Sequence, residues 1–262
     1  LAGLANPLTG WGRAGETWAF MTALDQLGGE TWFRLGDLDL ATHVERTHRL
    51  KSGESLSAIT ADFQKRLGIR ARLVPMCDQP VRTMVHTEHD GTLPFQRYFV
   101  ERQSEPRVQG FDFDGAPRAA MPSALVSVLE KNDLDAIVIC PSNPFISIDP
   151  ILAVPGLRAK LADSAAPVVA VSPLIAGQAV KGPTAKMMAE LGVPAGAAAI
   201  AAHYRGLLDG LVIDQADADE APAVGLPHLV TPTLMTSDHD KQRLASDVLH
   251  FARRLKSDSA SS

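Results

Sequence analysis

The sequence predicts an α/β protein: a parallel sheet preceded by a helical and β-hairpin region. Three observations carry this. Beyond about residue 122, short apolar runs alternate with helical patterns, as in strand–helix–strand units with right-handed crossovers. The run DAIVIC (135–140) is continuously apolar, as in a strand covered on both faces, and PVVAVSP (167–173) repeats it. Upstream, amphipathic helical stretches give way to short β segments around an Asp-Gly turn.

In order along the chain, Gly15 to Leu27 reads as a helix closed by Gly28-Gly29, followed by a short strand-like run, TWFRL (31–35). Leu38 to Leu50 and Leu56 to Leu67 are amphipathic helices, the second with Ser55 as N-cap. ARLVPM (71–76), VRTMVHTE (81–88), FQRYFVER and VQGFDFDG are expected strands of an antiparallel meander, with HDGT (89–92) as its turn. MPSALVSVLEKND reads as a helix. GLVID (210–214) and HLVTPTLM (228–235) complete the expected parallel strands, and helical patterns cover 155–163, 183–191, 195–208 and 239–255. The polar tail KSDSASS is expected to fray.

The composition is that of a globular protein. Of 262 residues, 45% are hydrophobic and 21% charged, which excludes disorder for the bulk of the chain. A net charge of −5 argues against nucleic acid as the main partner and leaves room for an anionic small ligand met by a local positive site. Two distant cysteines, Cys77 and Cys140, exclude a disulfide scaffold and fit a reducing compartment, and a cytoplasmic location is expected. No apolar run reaches transmembrane length, and LAGLANPLTGWGR lacks the features of a signal peptide. The chain opens on Leu, so upstream sequence is expected to be missing.

In a doubly wound sheet, ligands bind at the carboxyl ends of the strands. Three segments qualify, each with two readings. After DAIVIC, Ser142 and Asn143 sit between Pro141 and Pro144, and Ser147 follows. A stiff loop of hydroxyl, amide and backbone donors suits a phosphate or a nucleobase edge; the same residues are also ordinary turn-formers, and no glycine-rich fingerprint accompanies them. Asp149-Pro150 reads as the N-cap and first residue of a helix. After PVVAVSP, which carries Ser172, come Lys181, Gly182 and Lys186. Lys181 with the donors of a helix starting at Gly182-Pro183 could meet an anion, or both lysines are merely solvated. In GDLDLATH, Gly36 precedes Asp37 and Asp39, with His43 four residues after Asp39. Two carboxylates and a histidine could hold Mg²⁺, orient a hydroxyl or shuttle a proton; alternatively Asp37 caps a helix, Asp39 favours its dipole and His43 is solvated. Trp11 and Gly12 in GWGR offer a flat ring with close backbone approach, or a core Trp at a turn. His86 and His89 read as surface residues, and Cys140 as a small core residue rather than a nucleophile.

These stretches together resemble the 2-phospho-L-lactate transferase family of coenzyme F-420 biosynthesis. The matching segments are LAGLANPLTGWGR, ETWFRLGDLDLATHVERTH, LGIRARLVPMCDQPVRTMVHT, PFQRYFV, ICPSNPFISIDPILAVPGLR, PVVAVSPLIAGQAVKGPTAKMM and LLDGLVID. They cover nearly the whole chain, and PSNPFISIDPIL with GDLDLATH is the specific combination. The resemblance implies one transferase domain over 1–262, with a helical and hairpin insertion at 11–115 and a Rossmann-like portion at 116–262. It implies transfer of a phospho-three-carbon acid from its guanosine diphosphate-activated form to the ribityl hydroxyl of the deazaflavin Fo, with GMP released and Mg²⁺ assisting. The acid is 2-phospho-L-lactate or its phosphoenolpyruvate or 3-phosphoglycerate analogue.

Carried over to this sequence, Pro141, Ser142, Asn143, Pro144 and Ser147 would hold the guanosine phosphates or base, with Ser172, Lys181 and Gly182 at the neighbouring strand end. Asp37, Asp39 and His43 would act at the deazaflavin end, bordered by Trp11, Gly12 and Gly36. A homodimer is implied. The family's opening strand, glycine-rich GGxGGAK-type loop and acidic metal-binding segment have no counterpart here, so metal ligands are expected there, with Asp37 or Asp39 as possible additions. A related family of nucleotide-sugar-binding regulators shares the PSNPFISIDPIL-like loop; GDLDLATH with GWGR favours the transferase over it and over a plain nucleotide-binding subunit.

Overall fold

The computed structural model describes residues 1–7, 12–131 and 133–260. Three helices open it: α1 (Ala19–Gln26), α2 (Asp37–Lys51) and α3 (Leu56–Arg66). Ser55 caps α3 as its sequence predicts, its hydroxyl accepting the Ala58 N–H at 3.2 Å. Helices α1 and α2 clasp each other's starts. Asp37 accepts the N–H groups of Ala19 and Phe20 at 3.1 Å each and the Thr17 hydroxyl at 2.6 Å. Glu16 in turn accepts the Leu38 N–H at 2.6 Å. Each carboxylate meets unpaired donors at the positive end of the other helix. Gly36 is required at this clasp, because a Cβ there would overlap the Glu16 side chain. TWFRL is not a strand. Its Trp32 ring lies under the Arg97 guanidinium, 4.7 Å from the ring centre, and Arg97 pairs with Glu30 at 2.9 Å.

The antiparallel sheet has the order β2-β1-β3, from β1 (Arg82–Thr87), β2 (Thr92–Pro94) and β3 (Val108–Asp114). His86 bridges the three strands, pairing with Thr92 at 2.9 Å and Asp112 at 2.8 Å. Two expected strands are absent. ARLVPM is irregular; Met76 and Val81, with buried Cys77, pack in a small cluster against α4 (Ser123–Glu130). FQRYFVER winds into a π-helical turn over Arg97–Glu101. Its aromatics recur at helical spacing: Tyr98 is fully buried, while Phe95 and Phe99 stack at 5.2 Å. Tertiary packing overrides the strand preference of aromatic residues.

The second part alternates as expected: β4 (Ile137–Ile139), α5 (Asp149–Leu152), α6 (Leu157–Ala162), β5 (Val168–Val171), a hairpin of β6 (Leu174–Ile175) and β7 (Gln178–Ala179), α7 (Thr184–Glu190), α8 (Ala197–His203), β8 (Gly210–Ile213), β9 (His228–Val230) and α9 (Asp238–Ala260). The parallel sheet runs β4-β5-β8-β9. Alternate residues face opposite layers. Val168, Ala170, Leu211 and Ile213 pack on α7 and α8, while Val169, Val171 and Val212 pack on Leu244, Val248, Phe251 and Ala252 of α9. Gly210 admits α9 closely, since a Cβ would sit 2.7 Å from Phe251.

Strand β4 corrects one expectation. Among the described residues, DAIVIC lies at the edge of the sheet and is not covered on both faces: Val138 is 39% exposed, and Cys140 is exposed rather than core. The fully buried runs are β5 and β8, which lie inside the sheet. Helix α9 runs through the polar tail as far as Ala260, and residues 261–262 lie outside the described residues. Among the described residues, no helix is long and apolar enough to cross a membrane.

Helix α9 opens with a reciprocal cap. Asp240 accepts the N–H groups of Thr236 and Ser237 at 3.0 and 2.9 Å and both hydroxyls at 2.8 Å, and Ser237 accepts the Asp240 N–H at 3.1 Å. The hydrogen bonds from Ser237 and Thr236 hold the Asp240 carboxyl down to about 2. Its pKa is therefore lower folded than unfolded, so its stabilisation is present above the ordinary aspartate pKa and lost as pH falls towards about 2. Asp240→Asn is expected to unfold more readily than wild type at neutral pH, with the gap in melting temperature closing between about pH 4 and 2. A gap constant across that range would refute this role.

Candidate functional site

A cleft of about 550 Å³ opens at the carboxyl ends of β4 and β5. Its first wall is the loop after β4. The Ser142 N–H donates to the Cys140 carbonyl at 2.7 Å, turning the chain tightly. Asn143 then caps the π-helical turn Pro144–Ile148: its carbonyl oxygen accepts the Phe145 and Ile146 N–H groups at 2.9 and 3.3 Å. The Asn143 amide nitrogen donates to Met187 Sδ on α7 at 3.3 Å. Asn143 thus shapes the loop with both ends of its side chain. Pro141, Ser142, Asn143 and Ser147 line the cleft, whereas Pro144 is buried and turns to the opposite side with Phe145 and His203. Asp149 is not an N-cap. It lies inside the first turn of α5 and pairs with His203 at 2.8 Å, tying the loop's end to α8.

Ser172 lies at the end of β5, buried, its hydroxyl accepting the Leu174 N–H at 3.2 Å. The hairpin β6–β7 leads to Lys181 and Gly182, which also line the cleft. Lys181 is the single charged side chain in that lining. Among the described residues its ammonium has no protein partner, and neither do the hydroxyls of Ser142 and Ser147. Lys186 turns away, pairing with Glu190 at 2.6 Å and the Pro106 carbonyl at 3.1 Å.

Two further walls went unread in the sequence. Phe95 and Phe99 present the stacked aromatic face. Thr233, Leu234 and Met235 close the far side. That segment was read as strand, yet β9 stops at Val230, before Pro232. Buried Asp214 at the end of β8 holds it, accepting the Thr233 N–H at 2.6 Å and its hydroxyl at 3.0 Å, along with the Ala216 N–H at 2.9 Å. Burial opposes the Asp214 charge, but those N–H donors prevail and its pKa falls below the usual value. The spacing Phe95, Tyr98, Phe99 was the available signal for the aromatic wall; for Asp214 the signal was a carboxylate ending an apolar strand.

The GDLDLATH residues form a separate group at the start of α2, and none lines the cleft. Gly36 and Asp37 belong to the clasp with α1. Thr17, whose effect is largest, and the α1 N–H groups hold the Asp37 pKa low against burial. Asp39 has no hydrogen-bond partner among the described residues, and Gly12 borders it: a Cβ on Gly12 would stand 3.9 Å from Asp39 Oδ2. Burial, then the Arg46 charge, keep His43 below the usual histidine pKa despite Asp39, so it is neutral at pH 7. Arg46 approaches its Nδ1 at 3.4 Å, which leaves the hydrogen on Nε2 and makes that nitrogen a donor. Trp11 lies outside the described residues.

The described residues do not by themselves assemble the implied Mg²⁺ site. No group of three His, Cys, Asp or Glu side chains converges among them, and no carboxylate lines the cleft.

A parallel sheet with helices on both faces and a cleft at the strand carboxyl ends, where such folds carry ligands, defines a doubly wound α/β protein. The fold is shared with a Bacillus halodurans protein of the UPF0052 family. Two of its crystal structures match with TM-scores of 0.55 and 0.57 at 14% and 15% identity, covering 74% and 80% of this chain and 67% and 71% of theirs. The chain belongs to the 2-phospho-L-lactate transferase family: the family model described as 2-phospho-L-lactate transferase CofD matches residues 15–247. It is therefore an enzyme that transfers a phosphate-bearing group. A phosphoenolpyruvate transferase of Streptomyces griseus is 38% identical over 98% of this chain and 82% of its own length. A 2-phospho-L-lactate transferase of Methanosarcina mazei is 36% identical over 91% and 78%. A phosphoenolpyruvate transferase of Mycobacterium bovis is 36% identical over 90% and 73%.

Proposed function

We propose that this protein, acting as a cytoplasmic homodimer, transfers a phospho-three-carbon acid from its guanosine diphosphate-activated form to the terminal ribityl hydroxyl of Fo. The hydroxyl oxygen attacks the phosphorus that bears the acid. A phosphodiester bond forms, the bond from that phosphorus to the bridging oxygen breaks, and GMP leaves. The observation that carries the reading is the cleft itself: unpartnered Lys181 beside the Ser142 and Ser147 hydroxyls, facing the stacked Phe95 and Phe99. An ammonium and hydroxyl donors suit a diphosphate, and an aromatic face suits a flat ring. Phosphoryl transfer needs mainly positioning and charge neutralisation, which these groups supply.

In this reading the start of α2 serves the acceptor. Asp39, the carboxylate left free by the clasp, takes the hydroxyl proton, and the Nε2–H of His43 orients that oxygen. Which acid is used follows from the test. The protein with its expected upstream segment restored is incubated with Fo, Mg²⁺ and each of the lactyl, enolpyruvyl and glyceryl guanosine diphosphate donors, and GMP and the phosphodiester are detected by mass. Product is expected with one donor, and Asp39→Asn is expected to lower turnover while leaving GDP affinity unchanged. No product with any donor, alongside tight binding of a uridine diphosphate sugar, would overturn the reading in favour of a nucleotide-sugar regulator.

A further inference from the structure

Lys181 sits on a short arm. Behind it is the two-residue hairpin β6–β7, paired Leu174 to Ala179 and Ile175 to Gln178; ahead of it is buried Thr184 at the start of α7. The arm between them has no regular structure, so its path depends on the hairpin. The hairpin is closed by Ala176 and Gly177, both left-handed, at φ 50° and 67°. Two such residues make the turn that suits a two-residue hairpin. Gly177 adopts this conformation freely. Ala176 does so at a steric cost, so something must hold the turn.

That something is Asp217, in the 3₁₀ segment after β8. It is 5% exposed, and its carboxylate accepts the Gly177 N–H at 3.1 Å, with the neighbouring Ala176 N–H also favouring its charged form. Burial raises its pKa and the negative charges of Glu220 and Asp214 push the same way, against those two backbone donors. The fold thus keeps a desolvated acid beside two others at a point where its only described donors are the tip of this hairpin.

We infer that Asp217 is a positioning residue for Lys181: by holding the Ala176-Gly177 turn it orients the arm that carries the ammonium into the cleft. The inference rests on the reading of Lys181 as a diphosphate contact, and two readouts separate the two ideas. The first needs no ligand. Asp217→Asn keeps the shape of the side chain but turns an amide towards one of the two N–H groups. Amide hydrogen exchange over residues 174–182 is expected to quicken at least about tenfold, with thermal unfolding little changed because the buried charge is gone. Asp217→Ser, too short to reach the turn, is the second variant should the first not fold.

The second readout is a double-mutant cycle on GDP binding. Asp217→Asn is expected to weaken GDP about tenfold in the wild-type background and less than twofold in the Lys181→Ala background. Equal losses in both backgrounds, or unchanged exchange over 174–182, would overturn the inference. If wild type fails to bind GDP, the nucleotide reading falls, and the exchange result by itself decides whether Asp217 holds the arm.

Discussion

Lys181→Ala is expected to weaken GDP binding at least about tenfold, with little change in thermal unfolding. The ammonium is the single charge in the cleft lining and has no protein partner among the described residues. Removing it therefore breaks nothing in the unliganded fold. With a diphosphate present, it removes a charge-assisted contact, which is stronger than a neutral hydrogen bond. The loss is expected to shrink as salt rises, because an exposed charge is screened. Isothermal titration with GDP at two ionic strengths measures both effects. Lys181→Arg keeps the charge and is expected to retain most of the affinity. An alanine variant that binds GDP as wild type does would remove the cation from the nucleotide reading.

Asp214→Ala is expected to destabilise the protein by about 3 kcal/mol, lowering the melting temperature by roughly 6–12 °C for a chain of this size. The reason is what the carboxylate leaves behind. It accepts two backbone N–H groups and a hydroxyl, and Thr233, which supplies two of these donors, is itself buried. Alanine would strand those donors out of water. The same change frees the Thr233–Met235 wall, so GDP binding is expected to weaken even where the protein stays folded. The net lowering of the Asp214 pKa fixes the sign of the pH effect: its contribution is present above the ordinary aspartate pKa and fades as pH falls below it. A melting temperature within about 2 °C of wild type at pH 7 would show that Thr233 finds another partner.

Asp214 and Asp217 share a design. Both lie just after β8, both are buried, and each holds a different wall of the cleft through backbone N–H groups. Neither has a carboxylate facing the ligand space, which leaves Lys181 to set the charge of the cleft.

Much of the sheet was legible because local pattern and tertiary outcome agree. The apolar runs at β5 and β8 are buried at every position, as their sequence implies. DAIVIC reads the same way, yet among the described residues β4 lies at the sheet edge with Val138 exposed, because an apolar run says nothing about how a strand is covered. FQRYFVER shows the converse failure. Its residue types favour a strand, but Tyr98 reaches the core only by the helical turn that also stacks Phe95 on Phe99.

The candidate site divides along the same line. Placement by strand ends located Ser142, Ser147, Ser172 and Lys181 at the cleft, since the carboxyl edge of a parallel sheet follows from chain direction. It could not tell which way each side chain turns. Asn143 has donors suited to a ligand, and the fold directs them to Phe145, Ile146 and Met187. Asp37 and Asp39 are two residues apart and look equivalent. The start of α1, brought against the start of α2, commits the first to Ala19 and Phe20 and leaves the second free.

The order of α/β units, the loop that follows β4 and the family motifs were determined by the sequence alone, because each is a local pattern of residue types. Which carboxylates became structure was decided only by the tertiary fold. A carboxylate accepts whatever donors are brought to it, and each of Asp37, Asp214 and Asp217 is claimed by at least one donor from a segment 17 to 40 positions away along the chain.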